Sequence, residues 1–166
     1  VAKHRAIDAS GGPTVRSSLE AAPMAPFHLV EQWQEEIWPA SAIPPAAMSL
    51  FVGRVRGTTA AGLPLEALEL EHYPGMSERL LEQLARSMAE LHGVEAVGVA
   101  HRVGTIPAGD AIVVVAAFAD RRGPAQRCCQ ELLEALKHEA PFWKREWSGG
   151  TGIWVAGNTP LGACPT

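Results

Sequence analysis

The pattern of apolar residues predicts an α+β fold. Three observations carry that expectation. Two successive stretches, 46–57 and 66–75, alternate with a period of two. Residues 77–92, and a second stretch that follows Pro124, carry apolar residues at helical spacing. Residues 111–119, AIVVVAAFA, form an apolar run typical of a strand buried on both faces. Strands and two long helices in this mixed order fit α+β better than an alternating parallel sheet.

Taken in order, residues 1–25 read as a flexible N-terminal tail, rich in Gly, Pro and Ser and without a sustained period. One domain is expected over 26–157 and a C-terminal tail over 158–166. Residues 27–39, FHLVEQWQEEIWP, suggest a strand followed by a short helix that ends before Pro39. In 46–57, Met48, Leu50 and Val52 alternate, and Gly53 and Gly57 punctuate the strand. In 66–75, Leu68, Leu70 and His72 oppose Glu69, Glu71 and Tyr73, and Pro74-Gly75 closes the strand. The clearest helix spans 77–92, with Met76, Leu80, Leu81, Leu84, Met88 and Leu91 on one face and Gly93 as its stop. Val97, Val99, His101 and Val103 share a face of a strand over 94–104. Pro124 suits the first turn of the next helix, and Pro141 ends it by residue 140. FWKREW and GIWVA pair as a last hairpin around SGGTG.

The chain has 166 residues, 47% of them hydrophobic and 19% charged, which fits one globular domain with a real core. The formal net charge of -4 argues against a general nucleic-acid footprint. Of 14 Lys and Arg residues, nine fall in four short stretches: Arg54 and Arg56; Arg102; Arg121, Arg122 and Arg127; Lys137, Lys144 and Arg145. Brought together by folding, they form a local anion site on an acidic protein. Three cysteines, two of them adjacent, suggest a reducing compartment rather than a disulfide framework. No CxxC or HExxH spacing points to a metal, and no long apolar run or signal peptide points to a membrane or to export. A cytoplasmic protein without metal or cofactor is expected.

Each candidate residue has a chemical and a structural reading. Arg54 and Arg56, two apart on a strand, either guard a pocket mouth or simply solvate a strand end. Arg121 and Arg122 stand before a helix whose N-terminus favours anions, or else belong to a polar loop. Lys137 sits where a cation suits the helix dipole. Phe142, Lys144 and Glu146 share one face of an extended segment, and Trp143, Arg145 and Trp147 share the other. A lysine desolvated there is a usable acid, base or nucleophile; in water it is an ordinary surface charge. His101, among valines, reads as a satisfied and partly buried histidine. Cys128 and Cys129 read as helix core.

Four segments in a fixed order resemble one family. FVGRVRG (51–57), LELEHYPGMSERLL (68–81), AHRVGTIPAGD (100–110) and LKHEAPFWKRE (136–146) are similar to motifs of the large, catalytic subunit of molybdopterin synthase. The resemblance covers residues 46–155. It implies an α/β-hammerhead-like fold with an additional antiparallel β region. It also implies a sulfurtransferase. Sulfur passes from the thiocarboxylated C-terminal glycine of a small ubiquitin-like subunit, which ends in Gly-Gly, to cyclic pyranopterin monophosphate. The product carries the dithiolene of molybdopterin. A homodimer within a heterotetramer is the implied assembly.

The resemblance places catalytic lysines at Lys137 and Lys144, and substrate or anion contacts at Arg56, Arg121, Arg122, Phe51 and Glu146. Two positions depart from the family pattern. Arg121 stands where the family has histidine, and Thr58-Thr59 replace His-Asn. These departures leave an alternative expectation: a docking paralogue that binds the ubiquitin-like subunit without turnover.

Overall fold

The computed structural model describes residues 11–140 and 142–155. The expected C-terminal tail at 158–166 lies outside the described residues. The central element is β6 (Ala111–Ala119), paired antiparallel with both β4 (Ala96–Arg102) and β2 (Ala47–Arg54). β1 (Thr14–Glu20) adds to the edge parallel to β4, giving the order β1-β4-β6-β2. The two faces of this sheet follow from strand alternation. Val113, Val115, Ala117 and Ala119 of β6 meet α2 (Met76–His92) and α3 (Arg122–Glu139). Val114, Ala116 and Phe118 meet α1 (Pro26–Ile37) on the opposite face. The run at 111–119 is apolar throughout because both of its faces are covered.

A second sheet, entirely antiparallel, has the order β5-β3-β7-β8. It is built from β3 (Ala67–Glu71), β5 (Gly104–Pro107), β7 (Trp143–Ser148) and β8 (Thr151–Val155). Its core is small: Leu70, Ile106, Val55 and Leu65, with Phe142 and Ile112 packed alongside. Among the described residues, two sheets and three helices give the α+β architecture expected from sequence.

Three expectations are corrected. Residues 1–25 do not form a tail throughout, because Thr14–Glu20 is β1. Its sequence, TVRSSLE, offers only Val15 and Leu19 to the core beside α2, so the apolar signal is faint. The hydrogen bonds of β4 and an Arg16 Nε–Glu36 Oε2 contact of 2.8 Å to α1 hold it in place. Residues 27–37 contain no strand. Pro26 opens a continuous helix, and Val30, Trp33 and Ile37 keep helical spacing toward the sheet. In α2 the buried face is completed by Ala85 and Ala89, whereas Met76 and Leu91 are exposed. Ala is a weak apolar marker in sequence, yet it allows α2 to lie close to β4. The short β5, which ends at Pro107, also escaped the periodic reading.

Gly98 fixes the spacing between α1 and the sheet. A Cβ there would lie 2.2 Å from Trp33 Cε3, inside the ring of a buried indole. Gly98→Ala is expected to lower stability by about 1–3 kcal/mol through overpacking. Urea denaturation measures the loss, and adding Trp33→Leu is expected to recover part of it.

Candidate active site

The last turns of α3 approach β7 and the end of β2, and a cavity of about 530 Å³ opens between them. That volume suits a small heterocyclic ligand. Leu133, Leu136, Lys137 and Ala140 recur on one face of α3 and line one wall. Phe142, Lys144 and Glu146 line a second wall. They share that wall because residues two apart on a strand point the same way. Trp143, Arg145 and Trp147 therefore face outward. There Arg145 stacks over Trp154 with its Cζ 4.1 Å from the ring centre, and its guanidinium lies 3.5 Å from Glu69.

The third wall depends on a β-bulge. The pairing of β2 with β6 shifts between Gly53 and Arg54. Before the shift, Leu50 packs toward α1 while Phe51 and Gly53 face the cavity. After it, Arg54 also lines the cavity, so it leaves the phase of Met48, Leu50 and Val52 that simple alternation assigns to it. Glycine is required at position 53, because a Cβ would stand 2.7 Å from Val113 Cγ1. The bulged end is clamped by the turn at 107–110. Val55 N–H donates to Asp110 O at 2.9 Å, and Gly109 N–H donates to Val55 O at 2.9 Å. Arg54 Nη1 donates to Gly109 O at 3.1 Å. The buried Arg102 guanidinium holds the same turn through Asp110 Oδ2 at 3.5 Å.

Of the sequence-identified residues, Phe51, Arg56, Lys137, Lys144 and Glu146 line one cavity, with Arg54 and Thr58 beside them. Arg121 and Arg122 do not. They form the N-cap and first residue of α3, whereas Lys137 lies in its last turn. Fifteen residues at 1.5 Å each separate Arg122 from Lys137, about 22 Å. The expectation of one shared anion site is therefore corrected within a single chain. Thr58 does fall on the cavity, so that departure from the family pattern touches the site itself.

Four cations (Arg54, Arg56, Lys137 and Lys144) face a single carboxylate, Glu146. A cleft of that balance concentrates anions. Burial, and then the positive charge of Lys137, hold the Lys144 ammonium below its ordinary pKa. Lys137 itself lies 3.4 Å from Glu134 Oε1. Cys128 and Cys129 are core: burial foremost pushes Cys128 up to about 12 and raises Cys129 as well. Neither is an available nucleophile.

Sequence reasoning treated His101 as structural, but it also lines the cavity. Its ring stacks on Phe142, with centroids 4.5 Å apart and planes 25° apart. Nδ1 lies 2.8 Å from the Arg102 carbonyl oxygen. Its position in phase with Val97 and Val99 gave only an apolar signal. Its neighbour on the cavity, Phe142, precedes β7 far along the chain, so no local spacing could pair them.

Comparison with known proteins gives a consistent family. The MoaE protein family model matches residues 26–139. A molybdopterin synthase catalytic subunit from Haemophilus ducreyi is 33% identical over 143 residues, covering 85% of this chain and 91% of that protein. The molybdopterin biosynthesis MoaE protein from Burkholderia ambifaria superposes with a TM-score of 0.66 at 33% identity, covering 89% of this chain and 91% of that one. The crystal structure of molybdopterin synthase from Staphylococcus aureus superposes with a TM-score of 0.70 at 27% identity, covering 83% and 95%.

Burial of His101 makes stability depend on pH. Desolvation foremost, with the Lys144 charge adding to it, lowers its pKa from 6.5 to about 4, against the opposing bond to the Arg102 carbonyl. Between these values the unfolded chain binds the proton and the folded chain does not, so stability rises with pH across that window. The full difference, about 3 kcal/mol, is absent from the folded protein's favour below pH 4 and restored by pH 6.5. Denaturant titrations of the wild type from pH 4 to 7 are expected to show this slope, and His101→Phe is expected to flatten it.

Proposed function

The chain belongs to the MoaE protein family, and from that premise we propose how it acts as the catalytic subunit of molybdopterin synthase. It is a sulfur-transferring enzyme of molybdenum cofactor synthesis. The acceptor is cyclic pyranopterin monophosphate, and the donor is the thiocarboxylated C-terminus of a small ubiquitin-like subunit ending in Gly-Gly. The observation that carries this reading is the convergence of Lys137 and Lys144, from a helix end and a distant strand, on one cavity lined with arginines.

Both reactants are anions, one a cyclic phosphate and the other a thiocarboxylate, and the cavity is built for anions. Arg56 and Arg54 hold the phosphate. Phe51 supplies apolar contact for the ring system, and Glu146 accepts hydrogen bonds from it. Lys144, with its ammonium destabilised by burial, moves the proton at the reacting carbons. Lys137 sits beside the donor carbonyl and stabilises the negative charge that develops there. As the donor gives up its sulfur it returns to a carboxylate, with water supplying the oxygen. No resident metal or cofactor takes part. The two lysines in one cavity count against the docking paralogue.

Arg121 and Arg122 keep their role in anion binding through a second copy. They are exposed at the far end of α3, so a homodimer can present them at the neighbouring cavity. The heterotetramer then consists of two such chains and two small subunits. Among the described residues no helix is long and apolar enough to cross a membrane, and we place the enzyme in the cytoplasm.

Reconstitution with thiocarboxylated small subunit and cyclic pyranopterin monophosphate is expected to yield molybdopterin, detected by fluorescence after oxidation. Lys144→Ala is expected to lower the rate about 10²–10⁴-fold, as for loss of a general acid or base. A complex that forms but gives no product in the wild type would establish the docking reading instead. A second experiment mixes Lys144→Ala with Arg122→Ala chains. Shared cavities predict recovery of about a quarter of wild-type activity, since half of the dimers are mixed and each has one intact site. Two inactive parents that show no recovery on mixing would refute the shared cavity, and an Arg122→Ala parent with wild-type activity would place Arg122 outside the reaction.

A further inference from the structure

His101 is the one cavity residue whose proton position the backbone fixes. A carbonyl oxygen only accepts hydrogen bonds, so the 2.8 Å contact with Arg102 O requires the hydrogen on Nδ1. The imidazole is neutral at working pH, as its lowered pKa also requires. Nε2 is then a bare lone pair. Among the described residues Nε2 has no hydrogen-bond partner, and it is not sealed from solvent. The stack on Phe142 and the Nδ1 bond together leave the ring little freedom to turn. On this cavity the other fixed polar groups are mostly donors: Arg54, Arg56, Lys137 and Lys144, with Glu146 as the lone carboxylate.

We propose that His101 is a specificity-determining residue: its Nε2 accepts a hydrogen bond from a ring N–H of the bound pyranopterin, while Phe142 holds the imidazole in place. This rests on the function proposed above and adds a second hydrogen-bond acceptor that reads the heterocycle. Anion-binding arginines recognise any phosphate, so acceptors lining the cavity distinguish an N–H-bearing ring from another phosphorylated ligand, and His101 adds a neutral one to the Glu146 carboxylate. A carboxylate could accept the same bond, but beside Lys144 it would form an ion pair.

The test uses the complex with a small subunit ending in an ordinary carboxylate, which has no sulfur to transfer. Affinity for cyclic pyranopterin monophosphate is measured by calorimetry for wild type, His101→Phe and His101→Gln. The phenylalanine keeps the stack and removes the acceptor. Glutamine supplies an amide oxygen in its place. Loss of one neutral hydrogen bond predicts about tenfold weaker binding for His101→Phe, with partial recovery in His101→Gln. Affinity for the small subunit is expected to be unchanged.

Imidazole nitrogen NMR on the wild-type complex, with ¹⁵N-labelled histidine, gives a second readout that needs no variant. It is expected to show the hydrogen on Nδ1, and the Nε2 resonance is expected to move when the pterin is added. An Nε2 resonance that the pterin leaves unmoved, or wild-type affinity in His101→Phe, overturns the inference. A slower turnover with unchanged affinity overturns it too, since His101 would then act through Lys144. Wild-type turnover with the thiocarboxylated subunit separates the two readings. Product formed with an unmoved Nε2 resonance removes only this inference. A bound pterin that shifts Nε2 without product removes only the proposed reaction.

Discussion

The whole molecule depends on burying β6 on both faces. Val113, Val115, Ala117 and Ala119 enter the core with α2 and α3, and Val114, Ala116 and Phe118 enter the core with α1. Neither core could form alone on so short a chain, because each uses the same nine-residue strand as its floor. Trp33 seated over Gly98 and the alanines of α2 show how closely the layers approach. Close packing of this kind leaves little room for adjustment, so the ends of the elements are fixed in space.

Those fixed ends make the site. α3 runs along the sheet and delivers Lys137 at its last turn, and Ala140 leads the chain out toward β7. β7 then pairs with β3 and turns Lys144 inward across from Leu70. The bulge at Gly53–Arg54 adds the arginine wall, and the turn at 107–110 clamps it. The cations thus come close together because separate packing constraints place each one. The cost shows in Lys144, whose ammonium is disfavoured by burial and by Lys137. Strain of this electrostatic kind is typical of groups tuned for proton transfer.

The outward face of the second sheet carries the opposite arrangement. Arg145 lies between Trp154 and the carboxylates of Glu69 and Glu71, and Trp147 Nε1 donates to Glu69 Oε2 at 2.8 Å. Adjacent residues of one strand therefore have different fates. Lys144 lines the cavity with Arg54, Arg56 and Lys137, while Arg145 lies outside it beside Glu69 and Glu71.

Much of this was determined by sequence alone. Period-two stretches located β2, β3 and β4, a continuous apolar run located β6, helical spacing located α2 and α3, and proline marked where α3 had to end. The four motifs brought Phe51, Arg56, Lys137, Lys144 and Glu146 into one site before any coordinates. Elements whose stability comes from a neighbour were not legible. β1 has little apolar pattern because β4 supplies its hydrogen bonds, and α1 read partly as a strand because its short apolar stretch fits either period until the sheet selects one face. Tertiary structure alone decided that Arg54 turns toward the cavity, since a bulge is set by pairing with β6. It alone showed that no bend of the chain brings Arg121 and Arg122, at the start of α3, back to the cavity that holds the lysines. It alone made His101 a cavity residue stacked on Phe142, because the segment that leads into β7 meets the end of β4 only in the folded chain.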